Sequence, residues 1–405
     1  MGATASSSSK PSARGTKTDG VGFSGRSTGG GFEENPRFQA AACPVTADPK
    51  SPEPQSHPGM SSPSTPPDDR NGFDAIRLLL AVLVVYSHAF LLGGFGEEHL
   101  TSFVHGQTIA GSVAVLGFFG VSGFLVTRSF AQRADWRAYV RSRALRILPG
   151  YYLALIFTAF VAAPLISSRI SDGPRWNLTG AGEYVLRNAW VKVGAWHVAG
   201  IPYGLPYNGS LNGALWSLFP ELCCYAVVAV VGLAGWLRRP VGRIHLLLFA
   251  SAVGIAHVAL SLAPEIKHLA PAFLQLSGVT PFITSFLVGS LLYCFQSELV
   301  LGRGTALLWT AVALALLKFG GWNLLGPFVL PLALTNLAYS FHLRLRNDLS
   351  YGVYIFHFPV LQVMSAYGLM KLGYWAYLIV ALMLTLICAV LSWLAVERPF
   401  LRMKR

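Results

Sequence analysis

Long apolar stretches separated by polar or glycine-rich connections constrain the fold of this sequence more than any other feature. Each stretch is about 17 to 25 residues long, which suits a helix that crosses a bilayer. Helices satisfy their own backbone hydrogen bonds in lipid, so the sequence predicts an all-α, polytopic transmembrane helical bundle. We expect about ten spans, near residues 73–93, 108–128, 145–167, 213–237, 244–263, 274–295, 304–320, 322–341, 350–370 and 374–396.

Composition and charge support a membrane protein over a soluble or nucleic-acid-binding one. Hydrophobic residues make up 53% of the chain and charged residues 12%, whereas soluble proteins carry about 25% charged residues. The net charge is +13, but the basic residues lie mostly between the apolar runs. The charge therefore reports orientation in a lipid bilayer, and we expect no nucleic-acid partner.

The placement of lysine and arginine predicts the orientation. The connection 128–146 holds six arginines, whereas "GGFGEEHLTSFVHG", residues 93–106, has no lysine or arginine. Basic connections favour the cytoplasmic side. With an even number of spans, both termini are expected in the cytoplasm.

Residues 1–70 differ in composition from the rest of the chain. The segment is rich in serine, proline and glycine and poor in aliphatic side chains, so it cannot bury enough apolar surface to offset its ordering entropy. It has no apolar core typical of a secretory signal. We expect a disordered cytoplasmic tail, followed by one membrane domain over residues 71–405.

The first apolar run, "FDAIRLLLAVLVVYSHAF", carries two residues that are costly in lipid, Arg77 and His88. Eleven helical residues rotate by about 1100°, so the two side chains share one helix face, about 16 Å apart along the axis. Asp74, three residues before Arg77, is placed to pair with it. An interfacial anchor would explain Arg77 alone, and a satisfied structural histidine would explain His88 alone.

The chemical alternative uses both residues together. A guanidinium binds phosphate, and an imidazole accepts a proton near neutral pH. A long donor with phosphates at one end and a reactive acyl thioester at the other would reach from Arg77 to His88. Acyl-coenzyme A has that form, and His88 would take the proton of an attacking hydroxyl.

Six stretches in order resemble one known family. The Arg-x10-His pattern of the first span is similar to that of the membrane-bound acyltransferase-3 family. The other resembling stretches are "GFFGVSGFLVTRSF" (117–130), "RSRALRILPGYYLAL" (141–155), "LNGALWSLFPELCCY" (211–225), "LSYGVYIFHFPV" (349–360) and "VERPF" (396–400). The resemblance covers about residues 71–402 and is closest to members without a soluble, esterase-like C-terminal domain.

The resemblance implies transfer of an acyl group, often acetyl, from acyl-coenzyme A to a hydroxyl. The implied acceptors are sugar-containing: surface polysaccharides, lipid-linked glycans or metabolites. It implies His88 as catalytic base and Arg77, Arg143 and Arg146 as donor contacts. It also places the protein in a membrane, for which we expect the bacterial inner membrane. No metal and no tightly bound cofactor are expected, because acetyl-coenzyme A enters as a substrate.

Several further residues have two interpretations each. Arg143 and Arg146 share a helix face and either extend a phosphate clamp or only follow the orientation rule. Ser122, beside Gly123, either binds the donor or a polar partner, or marks close helix packing.

Glu221, His357 and Trp216 are candidates for substrate binding or support. Glu221 could orient the acceptor, or pair with an arginine or with His357, because an unpaired carboxylate in lipid is costly. His357 either serves the site or bonds a carbonyl freed by Pro359. Trp216 either stacks on a sugar or belongs to the interfacial aromatic belt.

A different class of protein uses the same residue types. A proton-coupled transporter would also place His, Arg and Glu inside the membrane. Such carriers often contain internal repeats, whereas the Arg-x10-His pattern occurs only on the first span. The sequence leaves the oligomeric state open.

Overall fold

The protein is helical throughout the part of the chain that the structure describes. A computed structural model describes residues 72–133, 135–237, 239–263, 278–341, 343, 345 and 347–403. The expected disordered tail, residues 1–70, lies outside these residues. The long helices are α1 (Phe73–Gly93), α2 (Ala110–Arg133), α3 (Trp136–Ser167), α4 (Gly213–Leu233), α5 (Pro240–Leu262), α6 (Thr280–Cys294), α7 (Arg303–Phe319), α8 (Trp322–Ser340), α9 (Ser350–Ala366) and α10 (Tyr374–Arg402).

Six of these helices are long and apolar enough to cross a membrane, judged by length and composition: α1, α2, α3, α4, α5 and α10. Each of the other predicted spans also coincides with a helix, of which α6 is apolar but shorter. The polytopic helical bundle is therefore supported, and the count of ten spans stays a prediction.

The helix ends follow local sequence signals. α3 begins at Trp136, nine residues earlier than predicted, because the Asp135 side chain caps its first turn by accepting a hydrogen bond from the Arg137 backbone N–H. α7 and α8 are joined only by Gly320 and Gly321, whose φ angles are 112° and 91°. Glycine adopts such angles without steric cost, which allows this very short connection.

Close approach of α2 and α6 organises one side of the bundle. A Cβ atom on Gly123 would lie 1.9 Å from the Phe286 carbonyl oxygen, and one on Gly289 would lie 2.0 Å from that of Gly120. Only glycine allows backbones this near one another. The packing interpretation of the Ser-Gly pair therefore holds for Gly123.

Helix α1 packs against α2, α9 and α10. Its pairing with α9 is the contact that positions the site. Side chains near the start of α1 meet the start of α9, and side chains further along α1 meet the middle of α9. The two helices thus run side by side in the same direction.

The long connection between α3 and α4 contains the helix Leu178–Asn188 and is built around asparagine side chains. Asn188 donates to the carbonyls of Tyr184 and Ala195 and accepts from the backbone N–H of Gly194. Asn212 donates to the Ile355 carbonyl on α9 at 3.1 Å. This connection is therefore bonded directly to the helix that carries His357.

Candidate functional site

A charged cluster lies where α1 and α9 begin. Arg77 Nη1 donates to Asp348 Oδ2 at 2.5 Å, and Arg146 of α3 donates to the same oxygen. The other oxygen, Oδ1, accepts from the backbone N–H and the hydroxyl of Ser350. The Asp348 carboxylate therefore connects α1 through Arg77, α3 through Arg146 and the first residue of α9 through Ser350.

The arginines dominate the electrostatics of Asp348, which precedes α9. Burial alone would raise the pKa of this carboxyl, whereas Arg146, Arg77 and the Ser350 hydrogen bonds lower it. The net effect holds the pKa of Asp348 well below its usual range. The carboxylate is thus charged at any physiological pH.

The structure divides the predicted donor contacts into two groups. Arg77 and Arg146 meet at Asp348, whereas Arg143 lies elsewhere, with Nη2 3.4 Å from the Ser129 hydroxyl and its guanidinium 6.0 Å from the Tyr225 ring centre. Its buried Nε has no hydrogen-bond partner among the described residues. Asp74 was expected to pair with Arg77, but the close carboxylate on Arg77 is that of Asp348.

A small cavity opens between α1, α2, α4 and α9. Its apolar wall includes Phe118 and Phe119, and the polar side chains around it include Arg77, Ser122, Ser217, Glu221, Ser350 and Tyr354. Three of the predicted site residues, Arg77, Ser122 and Glu221, therefore share one cavity.

Glu221 is held by two hydroxyl groups. Ser122 Oγ donates to Glu221 Oε1 at 3.0 Å, and the Tyr225 hydroxyl donates to the same oxygen at 2.5 Å. These bonds stand in place of the expected pairing with an arginine or His357. They leave the second carboxylate oxygen of Glu221 free of the Ser122 and Tyr225 contacts.

His88 and His357 form a direct hydrogen bond. His88 Nδ1 lies 2.7 Å from His357 Nε2, and the two rings are nearly parallel, with an interplanar angle of 7°. The Phe358 ring meets the His88 ring edge-on, with centres 5.2 Å apart. His88 therefore faces the protein interior at α9.

His357 is fully buried, and its other ring nitrogen contacts the backbone of its own helix. His357 Nδ1 lies 2.6 Å from the Tyr354 carbonyl oxygen. The carbonyl that Pro359 frees is that of Ile355, four residues earlier, and Asn212 fills it. His357 therefore contacts the carbonyl of Tyr354, and not the Ile355 carbonyl that Pro359 frees. It makes this contact in addition to its bond with His88.

The cavity and the histidine pair lie next to each other along α9. Tyr354 lines the cavity, and its carbonyl holds His357 one helical turn further along α9. The Tyr354 hydroxyl is also 2.6 Å from the Ser217 hydroxyl. Neither imidazole is part of the cavity wall.

Trp216 lies beside the cavity and packs on the protein. Its ring centre is 5.4 Å from that of Phe282 on α6. Its neighbour Ser217 supplies the polar group at the cavity instead.

Sequence reasoning missed Asp348, Tyr225 and Tyr354. Asp348 sits two residues before α9, at the edge of the stretch that resembles the family. An acid at the start of an apolar helix is a signal for a nearby cation, and α1 and α3 both carry arginines in their first halves. Tyr225 lies one helical turn after Glu221, which is hydrogen-bonding spacing.

Apolar helices of membrane length, packed around a polar cavity next to a histidine pair, are typical of an integral membrane protein. Comparison with known proteins makes the class specific: a family model described as an acyltransferase domain matches residues 70–394. The chain belongs to the acyltransferase-3 family and is an acyltransferase, which confirms the resemblance.

Two relatives match along most of their length. Nodulation protein 10 of Rhizobium leguminosarum bv. viciae is 28% identical over 360 residues, covering 83% of this chain and 94% of the relative. An O-acetyl transferase of Shigella phage Sf6 is 26% identical over 346 residues, covering 82% and 96%. No solved structure gives a significant match.

Proposed function

We propose that the protein transfers an acyl group, preferably acetyl, from acyl-coenzyme A to a hydroxyl of a sugar-containing acceptor, with His88 as general base. The observation that carries this proposal is the arrangement of α1. The guanidinium of Arg77 lines a polar cavity, and the imidazole of His88 lies on the same face of α1 about 16 Å further along. The similarity to an O-acetyl transferase of Shigella phage Sf6 supports acetyl transfer to oxygen.

The charged cluster would hold the donor's phosphates. A guanidinium carries five N–H donors, so Arg77 and Arg146 keep donors beyond those that contact Asp348. Asp348 fixes their geometry, and Arg143, beside Ser129 and Tyr225, would contact the donor separately. The cluster stays net positive, which suits a polyanionic donor.

The cavity would take the extended, amide-containing arm of the donor. Its apolar wall suits methylene groups, and Ser122, Ser217 and Glu221 offer hydrogen bonds to amides. The thioester then lies towards the histidine pair, beyond Tyr354.

The proposed reaction needs one base and one proton transfer in each direction. His88 removes the proton of the acceptor hydroxyl as its oxygen attacks the acyl carbon. The tetrahedral intermediate collapses, the carbon–sulfur bond breaks, and the proton passes from His88 to the thiolate. The products are the acyl ester and free coenzyme A.

The proposal includes an inner-membrane location in a bacterium with both termini in the cytoplasm. The arginine-rich connection 128–146, and the cluster at the end of the bundle where α1 begins, support this orientation. In a cysteine-free background, we expect a membrane-impermeant maleimide to label Glu97→Cys in whole cells but not Arg137→Cys. The reverse labelling would overturn the orientation.

The decisive experiment combines glycan mass spectrometry with a thiol assay. A deletion strain should lose an acyl mass from one surface glycan or metabolite, and the wild-type gene should restore it. With that acceptor fraction, the purified wild-type protein in detergent should release free thiol from acetyl-coenzyme A, and His88→Ala should not.

His257→Ala is the matched control. His257 is a buried histidine that lies away from the site, on α5 against Phe328 of α8. We expect His257→Ala to retain acyl transfer. Full activity of a folded His88→Ala variant would overturn the proposed function.

A further inference from the structure

A chain of two hydrogen bonds ties His88 to the backbone of α9. It runs from the Tyr354 carbonyl to His357 Nδ1 at 2.6 Å, and from His357 Nε2 to His88 Nδ1 at 2.7 Å. Both distances allow hydrogen bonds, and the first is slightly shorter than is usual for an N–H···O bond. The position of each hydrogen in this chain determines which atom of His88 can act as a base.

The carbonyl sets the direction of the chain. A carbonyl oxygen only accepts, so His357 Nδ1 carries a hydrogen. A neutral imidazole has one N–H, so His357 Nε2 is bare and accepts from His88 Nδ1. His88 then carries its hydrogen on Nδ1, and its Nε2 is left with an unshared electron pair.

The surroundings keep His357 neutral. Its side chain is 0% exposed, and in the part of the chain that the structure describes it contacts His88, the backbone of Tyr354 and Val353, and the ring of Phe358. None of these supplies a negative charge, and burying an unpaired imidazolium is costly. A cationic His357 would reverse the second bond and leave a hydrogen on His88 Nε2.

We infer that His357 is a positioning residue that holds His88 in the Nδ1–H tautomer and so makes His88 Nε2 the proton-accepting atom. This inference rests on the proposed function. It also explains why α9 is braced at this point: Asn212 bonds the Ile355 carbonyl, and the edge of Phe358 packs on the His88 ring. Both contacts limit movement of the two imidazoles.

The inference assigns the protons through the reaction. His88 Nε2 takes the proton of the acceptor hydroxyl, while His88 Nδ1–H continues to donate to His357 Nε2. That bond strengthens when His88 is positively charged, because a charged donor makes a stronger hydrogen bond. The proton on Nε2 then goes to the leaving thiolate sulfur, and the original tautomer returns.

Two substitutions of His357 test the role by kinetics. His357→Leu removes the acceptor for His88 Nδ1, so kcat should fall on the order of 10²-fold, the lower end of what a general base contributes. KM for acetyl-coenzyme A should stay unchanged, since the donor does not contact His357. His357→Gln can accept from His88 and donate to the Tyr354 carbonyl, so it should recover most of the lost kcat.

The outcomes separate this inference from the proposed function. A folded His357→Leu variant with full kcat, or a folded Gln variant as inactive as the Leu variant, overturns the positioning role even when His88→Ala is inactive. An active His88→Ala variant instead overturns the proposed function itself. Folding of each variant is checked by size-exclusion chromatography and thermal unfolding.

A spectroscopic measurement tests the tautomer without activity. In protein labelled with ¹⁵N-histidine and embedded in lipid, the His88 signals are identified by their loss in His88→Ala. We expect a protonated Nδ1 and a bare Nε2 at neutral pH. A protonated Nε2 on His88 would overturn the inference, whatever the kinetics show.

Discussion

The charged cluster and the histidine pair join the same two helices at two depths and do so by different physics. Near the helix starts, Arg77 and Arg146 share the carboxylate of Asp348. Further along, His88 and His357 meet through one directional hydrogen bond. Full charges near the end of the bundle are paired with each other, whereas the deeper pair is neutral and keeps one nitrogen of His88 outside the chain of bonds.

This difference separates stability from chemistry. Removing one member of a buried ion pair leaves an uncompensated charge, which mainly destabilises the fold. Removing a base from an otherwise neutral level mainly affects the reaction. Substitutions in the histidine pair should therefore lower kcat with little change in stability. Substitutions in the charged cluster should mainly lower the free energy of unfolding.

The largest expected effect is on catalysis at the histidine level. His88→Gln keeps a polar side chain but removes the basic nitrogen, so kcat should fall by about 10² to 10⁴-fold. The unfolding temperature should change little. Thiol release from acetyl-coenzyme A and a thermal unfolding scan measure the two effects. A variant that stays active but unfolds at a much lower temperature would contradict the comparison.

Asp348→Ala should give the reverse pattern. It leaves two arginines without their shared carboxylate, which should cost about 3 to 5 kcal/mol of unfolding free energy. The double variant Asp348→Ala/Arg77→Met removes one of the stranded charges and should recover part of that loss. Denaturant titration in detergent measures both, and equal stability of wild type and Asp348→Ala would contradict the role of the cluster.

The pH dependence of stability should reveal Asp348 as well. Its pKa is lower in the folded protein than in the unfolded chain, so its stabilisation is present above the unfolded value, about 3.9. The stabilisation is lost as pH falls from there towards the folded pKa. Between pH 5 and pH 3, wild type should lose about 1 kcal/mol more than Asp348→Asn. Parallel curves for the two proteins would contradict this assignment.

The smallest effect should come from an ion pair outside both levels. Arg187 and Glu183 are one helical turn apart on the helix Leu178–Asn188, and their side chains are 58% and 60% exposed. Arg187→Ala should cost no more than about 0.5 kcal/mol, because water screens the pair. The same denaturant titration gives the value, and a loss comparable to that of Asp348→Ala would show that burial does not set the difference.

The sequence was most informative where one helix carries the argument. Helical periodicity alone placed Arg77 and His88 on one face of α1, and both contact α9 through that face. The apolar runs located a helix at every expected position. The motifs, taken in order, led to the family that the comparison confirms.

Contacts between distant positions were beyond the sequence. The His88–His357 bond joins residues 269 positions apart, and the Arg77–Asp348 bond joins residues 271 apart. Periodicity describes each helix by itself and says nothing about which helix packs beside it. For that reason Asp348 was missed, as was the Ser122 partner of Glu221. The Tyr225 partner is one helical turn from Glu221 on the same helix and was within reach of the sequence.

The bond from Asn212 to the Ile355 carbonyl has a practical consequence for domain-swap engineering. A chimera that exchanges residues 168–212 with the corresponding loop of a relative also exchanges residue 212. The Asn212 side chain donates to the Ile355 carbonyl, which has no backbone partner because Pro359 lacks an N–H. Changed acceptor selectivity in such a chimera can be attributed to the grafted loop only when an asparagine is kept at position 212. Otherwise the graft also alters the backbone on which His357 is mounted.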